Sequence, residues 1–247
     1  METTLSVSLR HHRLSNYMKD IVCQDYGIEQ NKISVIPNGL FDVTNYSTIH
    51  NNLLRKKWNI QASEKILLFA GRINEIKGVG FLIKVFRKVL EKSPNCRLII
   101  AGSGNYDAYF QVAKGIDTKI TFTGLLDKQE LYELYQMADV GIVPSLFEPF
   151  GYVAVEMMMH SLPIVATATS GLNEVVDDTC GLKVPLIEYP DRVEIDTDLL
   201  AEKIIYLLKH PKEAQKLGEN SRKRYLKHYS SEVFRRNMLN LYTSLFK

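Results

Sequence analysis

Short runs of apolar, largely β-branched residues alternate along this chain with stretches whose apolar positions recur every three or four residues. The runs fall at 32–37, 66–70, 97–101, 119–123, 140–143, 163–167 and 182–184. Between them, 79–91, 105–114, 128–138 and 152–160 read as crossover helices, most with apolar residues at spacings of three and four. Such alternation means a parallel sheet covered on both faces. The predicted fold is therefore α/β, a doubly wound, Rossmann-like parallel sheet. From position 198 the pattern is purely helical, through 199–208, a start at Pro211 and a last segment at 231–246. An amphipathic helix is also predicted over 14–26, its apolar residues sharing a surface with those terminal helices.

Composition narrows the picture without redirecting it. With 247 residues, 45% hydrophobic and 24% charged, the chain is long enough for one large domain with an appendage and indicates neither disorder nor a fibre. The net charge of +3 comes from mixed charges, and the basic stretches 10–13 and 221–227 read as solvated helix faces rather than a nucleic-acid patch. Cys23, Cys96 and Cys180 are far apart and lack metal or disulfide spacing, so a reducing cytoplasm fits. No apolar stretch approaches the roughly 20 residues a membrane span needs, and no signal-peptide core is present. A cytoplasmic protein is expected, with any membrane contact peripheral.

Four strand-to-helix turns carry the candidate chemistry. Glu148 and Glu156 straddle a strand end, a glycine turn and a helix start, where an α/β sheet binds ligands. Glu156 lies in the otherwise apolar Val153-Ala-Val-Glu-Met-Met-Met159, and a carboxylate there needs a partner. Between the glutamates, Phe150, Gly151 and Tyr152 stand at a predicted helix N-terminus, whose unpaired N–H groups attract phosphate. In Ala70-Gly-Arg-Ile-Asn-Glu-Ile-Lys-Gly78, glycine lets the backbone approach a ligand, and Arg72 and Lys77 could clamp a diphosphate. The turn Ala101-Gly-Ser-Gly104 lacks the third glycine of a dinucleotide fingerprint, because Asp107 stands there, which sets a nicotinamide or flavin cofactor aside. Gly102 and Gly104 serve either a tight turn or direct ligand contact. Phe122, Thr123 and Gly124 offer backbone groups at a strand end, an edge for pairing with a nucleobase. Cations, amides and carboxylates together describe a nucleotide sugar, because carboxylates accept short hydrogen bonds from vicinal hydroxyls. The alternatives are a helix-terminal acid for Glu148 and a buried ion pair for Glu156.

These motifs, with Lys32-Ile-Ser-Val-Ile-Pro-Asn-Gly39 and Ser170-Gly-Leu-Asn-Glu174, make the chain resemble the C-terminal half of a family-four retaining glycosyltransferase. That family has the two-domain GT-B architecture also seen in glycogen and sucrose synthases. The resemblance implies that Arg72 and Lys77 neutralise the donor diphosphate, that Glu156 bonds the ribose hydroxyls and that Glu148 faces the donor sugar. It places Gly71, Gly102 and Gly104 at the donor, the amides of Phe150, Gly151 and Tyr152 along the phosphates or sugar, and the Phe122–Gly124 turn beside the base. No metal and no cofactor are implied; the nucleotide sugar is substrate.

Some positions depart from the family pattern. Ser170 and Asn173 stand where glycine and proline are common, Met157-Met-Met-His-Ser161 replaces smaller residues, and 185–195 is a longer, more polar stretch that reads as a surface excursion or, alternatively, a specificity loop. No histidine here matches the one that contacts donor sugar in the family; that residue and the site for a sugar, glycan or lipid-linked acceptor belong to an N-terminal domain outside this sequence. The expected organisation is an interdomain-crossing segment at 1–40, the donor-binding domain at 41–228 and a return helix at 229–247. On that view the chain is a donor-binding fragment, inactive alone. Phe234, Met238, Leu241 and Leu245 form an apolar stripe that predicts self-association or packing on the domain itself. A sugar-nucleotide epimerase of the same architecture and a non-catalytic nucleotide-binding module remain the competing readings.

Overall fold

A computed structural model describes residues 11–44 and 51–245 of the chain. The N-terminal part holds β1 (His11–Arg13) and β2 (Ile33–Val35), a parallel pair joined through α1 (Asn16–Tyr26). The main body opens with α2 (Asn51–Lys57) and then alternates strands with helices. Its strands are β3 (Lys65–Ala70), β4 (Cys96–Ala101), β5 (Ile120–Gly124), β6 (Val140–Val143), β7 (Ile164–Ala168), β8 (Gly181–Glu188) and β9 (Val193–Ile195). They form one sheet in the order β5-β4-β3-β6-β7-β8-β9, parallel except at β9.

Side chains alternate across the sheet, so one sequence run feeds two cores. Ile66, Leu68 and Ala70 face α5 (Lys128–Met137) and α6 (Tyr152–Met159), while Leu67 and Phe69 face α3 (Val79–Lys92) and α8 (Thr197–Lys209). That two-sided burial is why the strands read as continuous apolar runs. The other helices are α4 (Asp107–Ala113), α7 (Leu172–Val175), α9 (Pro211–Arg224) and α10 (Ser231–Leu245), with a π-helical turn over Tyr225–Tyr229 before the last.

Three expectations change in detail. The stretch 185–195, largely exposed as a surface excursion would be, is ordered as a hairpin in which Leu186 pairs with Ile195 and Glu188 with Val193 at the sheet edge. Pro185 lies at the register of Ala168 near that edge, and a proline inside a strand hides it from a pattern reading. α1 buries none of its residues. Instead of sharing an apolar surface with the terminal helices, it is held by polar bonds: the Asn16 and Tyr17 amides donate to the Glu174 carboxylate at 2.9 and 2.7 Å, and Ser15 donates to the Pro149 carbonyl at 2.8 Å. α10 divides, with Val233 buried and Phe234, Met238 and Leu241 half-buried, while Leu239, Tyr242 and Leu245 are exposed.

The winding positions the site. From β3 the chain steps outward to β4 and β5, then returns to β6 on the other side of β3. The loops after β3 and β6 therefore leave the sheet in opposite directions, and a crevice opens between them at the carboxyl ends of the strands.

Candidate functional site

Glycine lets the loops around that crevice pack backbone against backbone. Gly78 has φ of 69°, and a Cβ there would lie 1.8 Å from the Pro144 carbonyl oxygen; Gly102 has φ of 145°, and its Cβ would lie 1.8 Å from the Gly71 oxygen. Neither position admits another residue without moving the chain. Hydrogen bonds lace the turns in series. The Gly71 amide donates to Ala101, the Gly102 amide to Gly124 and the Leu146 amide to Ile76, at 2.9, 3.0 and 2.8 Å.

This lacing brings Lys77 and Glu148, 71 positions apart, into an ion pair. The side chains retain 19% and 16% of their exposure, so the pair is largely buried without being sealed from solvent. The Asn74 carboxamide oxygen accepts from the Lys77 amide at 3.0 Å and fixes the turn from which the lysine springs. On the other side, the Leu172 amide donates to the Glu148 carbonyl at 3.0 Å, and Thr169 donates its hydroxyl to Leu146 at 2.9 Å.

A cleft of about 260 Å³ opens at the carboxyl ends of β3, β4 and β5, bounded by Gly71 and Arg72 after β3, Gly102 and Ser103 after β4, and Leu125 and Leu126 after β5; Lys77 and Glu148 are not part of its lining. Leu131 of α5 and Val153 of α6 form its apolar wall. Glu156 stands one turn beyond Val153 on the same helix face. Its Oε2 accepts from the Tyr135 hydroxyl at 2.9 Å. Burial pushes the Glu156 carboxyl above its ordinary range, opposed by the Tyr135 hydroxyl and by Lys128. Its partner is thus a buried phenol and not the cation of an ion pair. A larger hollow of about 540 Å³ between segment 39–43 and α5 has Lys128 as the charged group of its described lining, and so lacks the opposed pair found at the crevice.

The family model for glycosyl transferases group 1 matches residues 51–224, well over half of the chain. The chain belongs to that family. An uncharacterized glycosyltransferase of Methanocaldococcus jannaschii is 36% identical over 170 residues, covering 66% of this chain and 43% of the relative. Sucrose-phosphate synthase of Thermosynechococcus elongatus superposes with a TM-score of 0.78 at 28% identity, covering 95% of this chain and 58% of that one. HepE of Anabaena, solved in complex with UDP-glucose, gives a TM-score of 0.82 at 20% identity, covering 96% and 64%. The chain spans less than two thirds of each of these proteins, and its fold is that of the C-terminal half of a GT-B glycosyltransferase.

Among the site residues predicted from the sequence, Arg72, Gly71 and Gly102 line the cleft, and Lys77 and Glu148 meet each other outside its lining. Gly104 lies under the β3 turn, where its Cβ would sit 2.1 Å from the Ile73 oxygen. The Phe122 ring packs on Tyr106 and Phe110, centroids 5.7 and 5.3 Å apart, while Thr123 donates its hydroxyl to the Gly124 carbonyl. Phe150 is buried against Tyr152 and Tyr229, Gly151 has φ of 103° at the α6 N-terminus, and the Tyr152 hydroxyl bonds the Asn38 carboxamide. Sequence reasoning missed Ser103, Leu125, Leu126, Leu131, Val153 and Tyr135. The Leu125-Leu126 pair directly after Gly124 was the available signal for an apolar floor. Nothing local marks Tyr135, which lies 21 positions before its partner.

Among the described residues no helix is long and apolar enough to cross a membrane, and no group of three or more His, Cys, Asp or Glu could hold a metal ion.

Proposed function

We propose that this chain is the donor-binding part of a retaining glycosyltransferase that takes a sugar from a nucleoside-diphosphate sugar. The observation that carries the reading is the meeting of Lys77 and Glu148 across the loops that leave β3 and β6 at the topological switch point, Lys77 sharing its loop with Arg72, which lines the cleft. A lysine ammonium has three donors, so Lys77 can hold Glu148 and a phosphate oxygen together. Arg72 adds a planar fork suited to the same diphosphate. As the bond from the anomeric carbon to phosphate breaks, negative charge grows on the diphosphate, and two pre-placed cations stabilise that charge without a metal.

Glu148 orients the donor sugar. A glycosidase-type nucleophile needs a second carboxylate across the bond, and Glu148 is held by a lysine instead. The acceptor attacks from the leaving-group side, which keeps the anomeric configuration. Glu156 binds the ribose hydroxyls, the apolar floor at Leu125 and Leu126 lies beneath the base, and the amides around Gly151 face phosphate or sugar. Acceptor recognition falls to a second, N-terminal domain, with 1–40 as the crossing segment and 229–247 as the return helix. The exposed Leu239, Tyr242 and Leu245 provide the surface for that domain or for a second copy. The UDP-glucose bound by HepE and the transferase and synthase names of the similar proteins support a nucleotide-sugar donor.

Thermal unfolding with UDP, GDP and ADP tests the reading. At least one nucleotide is expected to raise the midpoint; Lys77→Ala should remove the rise and Lys212→Ala, exposed on α9, should retain it. A rise equal in both variants would refute the clamp.

A further inference from the structure

The structure assigns a role to Tyr135 that rests on the donor-site reading: we infer that its hydroxyl is the positioning group that aims the Glu156 carboxylate at the nucleotide ribose. Tyr135 is 1% exposed and donates to Glu156 Oε2 at 2.9 Å. A carboxylate has two oxygens and about four acceptor sites. With one site occupied by a fixed phenol, the plane of the carboxylate is set and the remaining sites are left for the two vicinal hydroxyls of a ribose. The helix geometry agrees, since Leu131 lies one turn before Tyr135 on α5 and Val153 one turn before Glu156 on α6, and both line the cleft.

The phenol is itself held. Its ring stacks on His160 and on Tyr132, at centroid distances of 5.6 and 6.3 Å. His160 is buried and kept neutral, its pKa down to about 4 through burial and the nearby Arg222. A rigid aromatic stack therefore supports a single hydroxyl, and that hydroxyl supports a single carboxylate. A tyrosine serving packing alone would not need this oxygen. Burial pushes Glu156 toward its neutral form, whereas the Tyr135 hydroxyl favours the charged one, and it is the charged form that accepts from both ribose hydroxyls.

Titration calorimetry on the 247-residue chain tests the role through ribose discrimination. The probes are UDP, GDP and ADP, the 2′,3′-dideoxy form of whichever binds tightest, and inorganic pyrophosphate. Wild type should prefer the ribonucleotide over the dideoxy form by about tenfold or more. Tyr135→Phe should lose most of that preference while its pyrophosphate affinity stays unchanged, and Glu156→Gln should lose it too. If Glu156→Gln loses the preference and Tyr135→Phe keeps it, the inference fails and the donor reading stands. If Glu156→Gln keeps it, the ribose assignment itself is wrong, and the inference with it. Should Tyr135→Phe not fold, Tyr135→3-fluorotyrosine retains the hydroxyl; its fluorine resonance should move with the ribonucleotide and not with the dideoxy form, and equal movement with both would overturn the inference.

Discussion

Glu64 is a buried acid outside the proposed donor site, and it illustrates what single residues contribute here. Its side chain is 1% exposed, yet it accepts from Lys119 at 2.7 Å, from Arg97 at 3.0 Å and from the Gln61 amide at 2.9 Å. Burial alone would raise its pKa; these donors outweigh burial and bring it from 4.5 to about 2. Because the folded value lies below the unfolded one, the stabilisation is complete above about 4.5 and is lost as pH falls toward about 2. Its size is on the order of 3 kcal/mol. Urea unfolding as a function of pH should show Glu64→Gln with a flatter dependence than wild type across that window; parallel curves would contradict the pairing. None of this was legible in the sequence, since Arg97 and Lys119 lie 33 and 55 positions away and only the folded sheet brings them together. Lys77 and Glu148 are separated by more, yet both follow strand ends, and topology gathers strand ends at one edge. Ser170 has φ of 45°, which gives a physical reason for glycine being common at its position in the family.

At the scale of elements, the loops that build the crevice are expected to tolerate little. Gly78→Ala places a Cβ against the Pro144 carbonyl at positive φ, which should cost about 3 kcal/mol or more. Gly27→Ala has φ of 62° with nothing within 4 Å of the new atom, and should cost only the conformational penalty of about 1–2 kcal/mol. Chemical denaturation of the two variants separates close approach from backbone preference; equal losses would mean that the loop yields. The major strands were legible as short continuous apolar runs and most crossover helices by their three-and-four spacing, the two alternating along the chain. The hairpin of β8 and β9 was not, being short, polar and interrupted by Pro185. Nor was the π-helical turn at Tyr225–Tyr229, whose residues carry an ordinary helical pattern.

For the whole molecule, the segment around Leu40 is tied to the turn that precedes α10. The Leu40 amide donates to Tyr229 at 2.9 Å, the Ser231 amide to Leu40 at 2.9 Å and the Tyr225 hydroxyl to Leu40 at 2.8 Å. The segment leading toward the sheet and the helix leaving it thus form one seam, and Phe150, just before α6, packs on Tyr229 of that seam. Such a seam was invisible in the pattern of 38–44, which has no period of its own. The account as a whole stands on the grip of Lys77 and Arg72 on a diphosphate. Isothermal titration of UDP against UMP, or the GDP or ADP pair if that base binds better, measures this grip as the affinity gained from the second phosphate. The account predicts a gain of about tenfold or more in wild type, reduced close to unity in Lys77→Ala and in Arg72→Ala. An undiminished gain in both variants would contradict it.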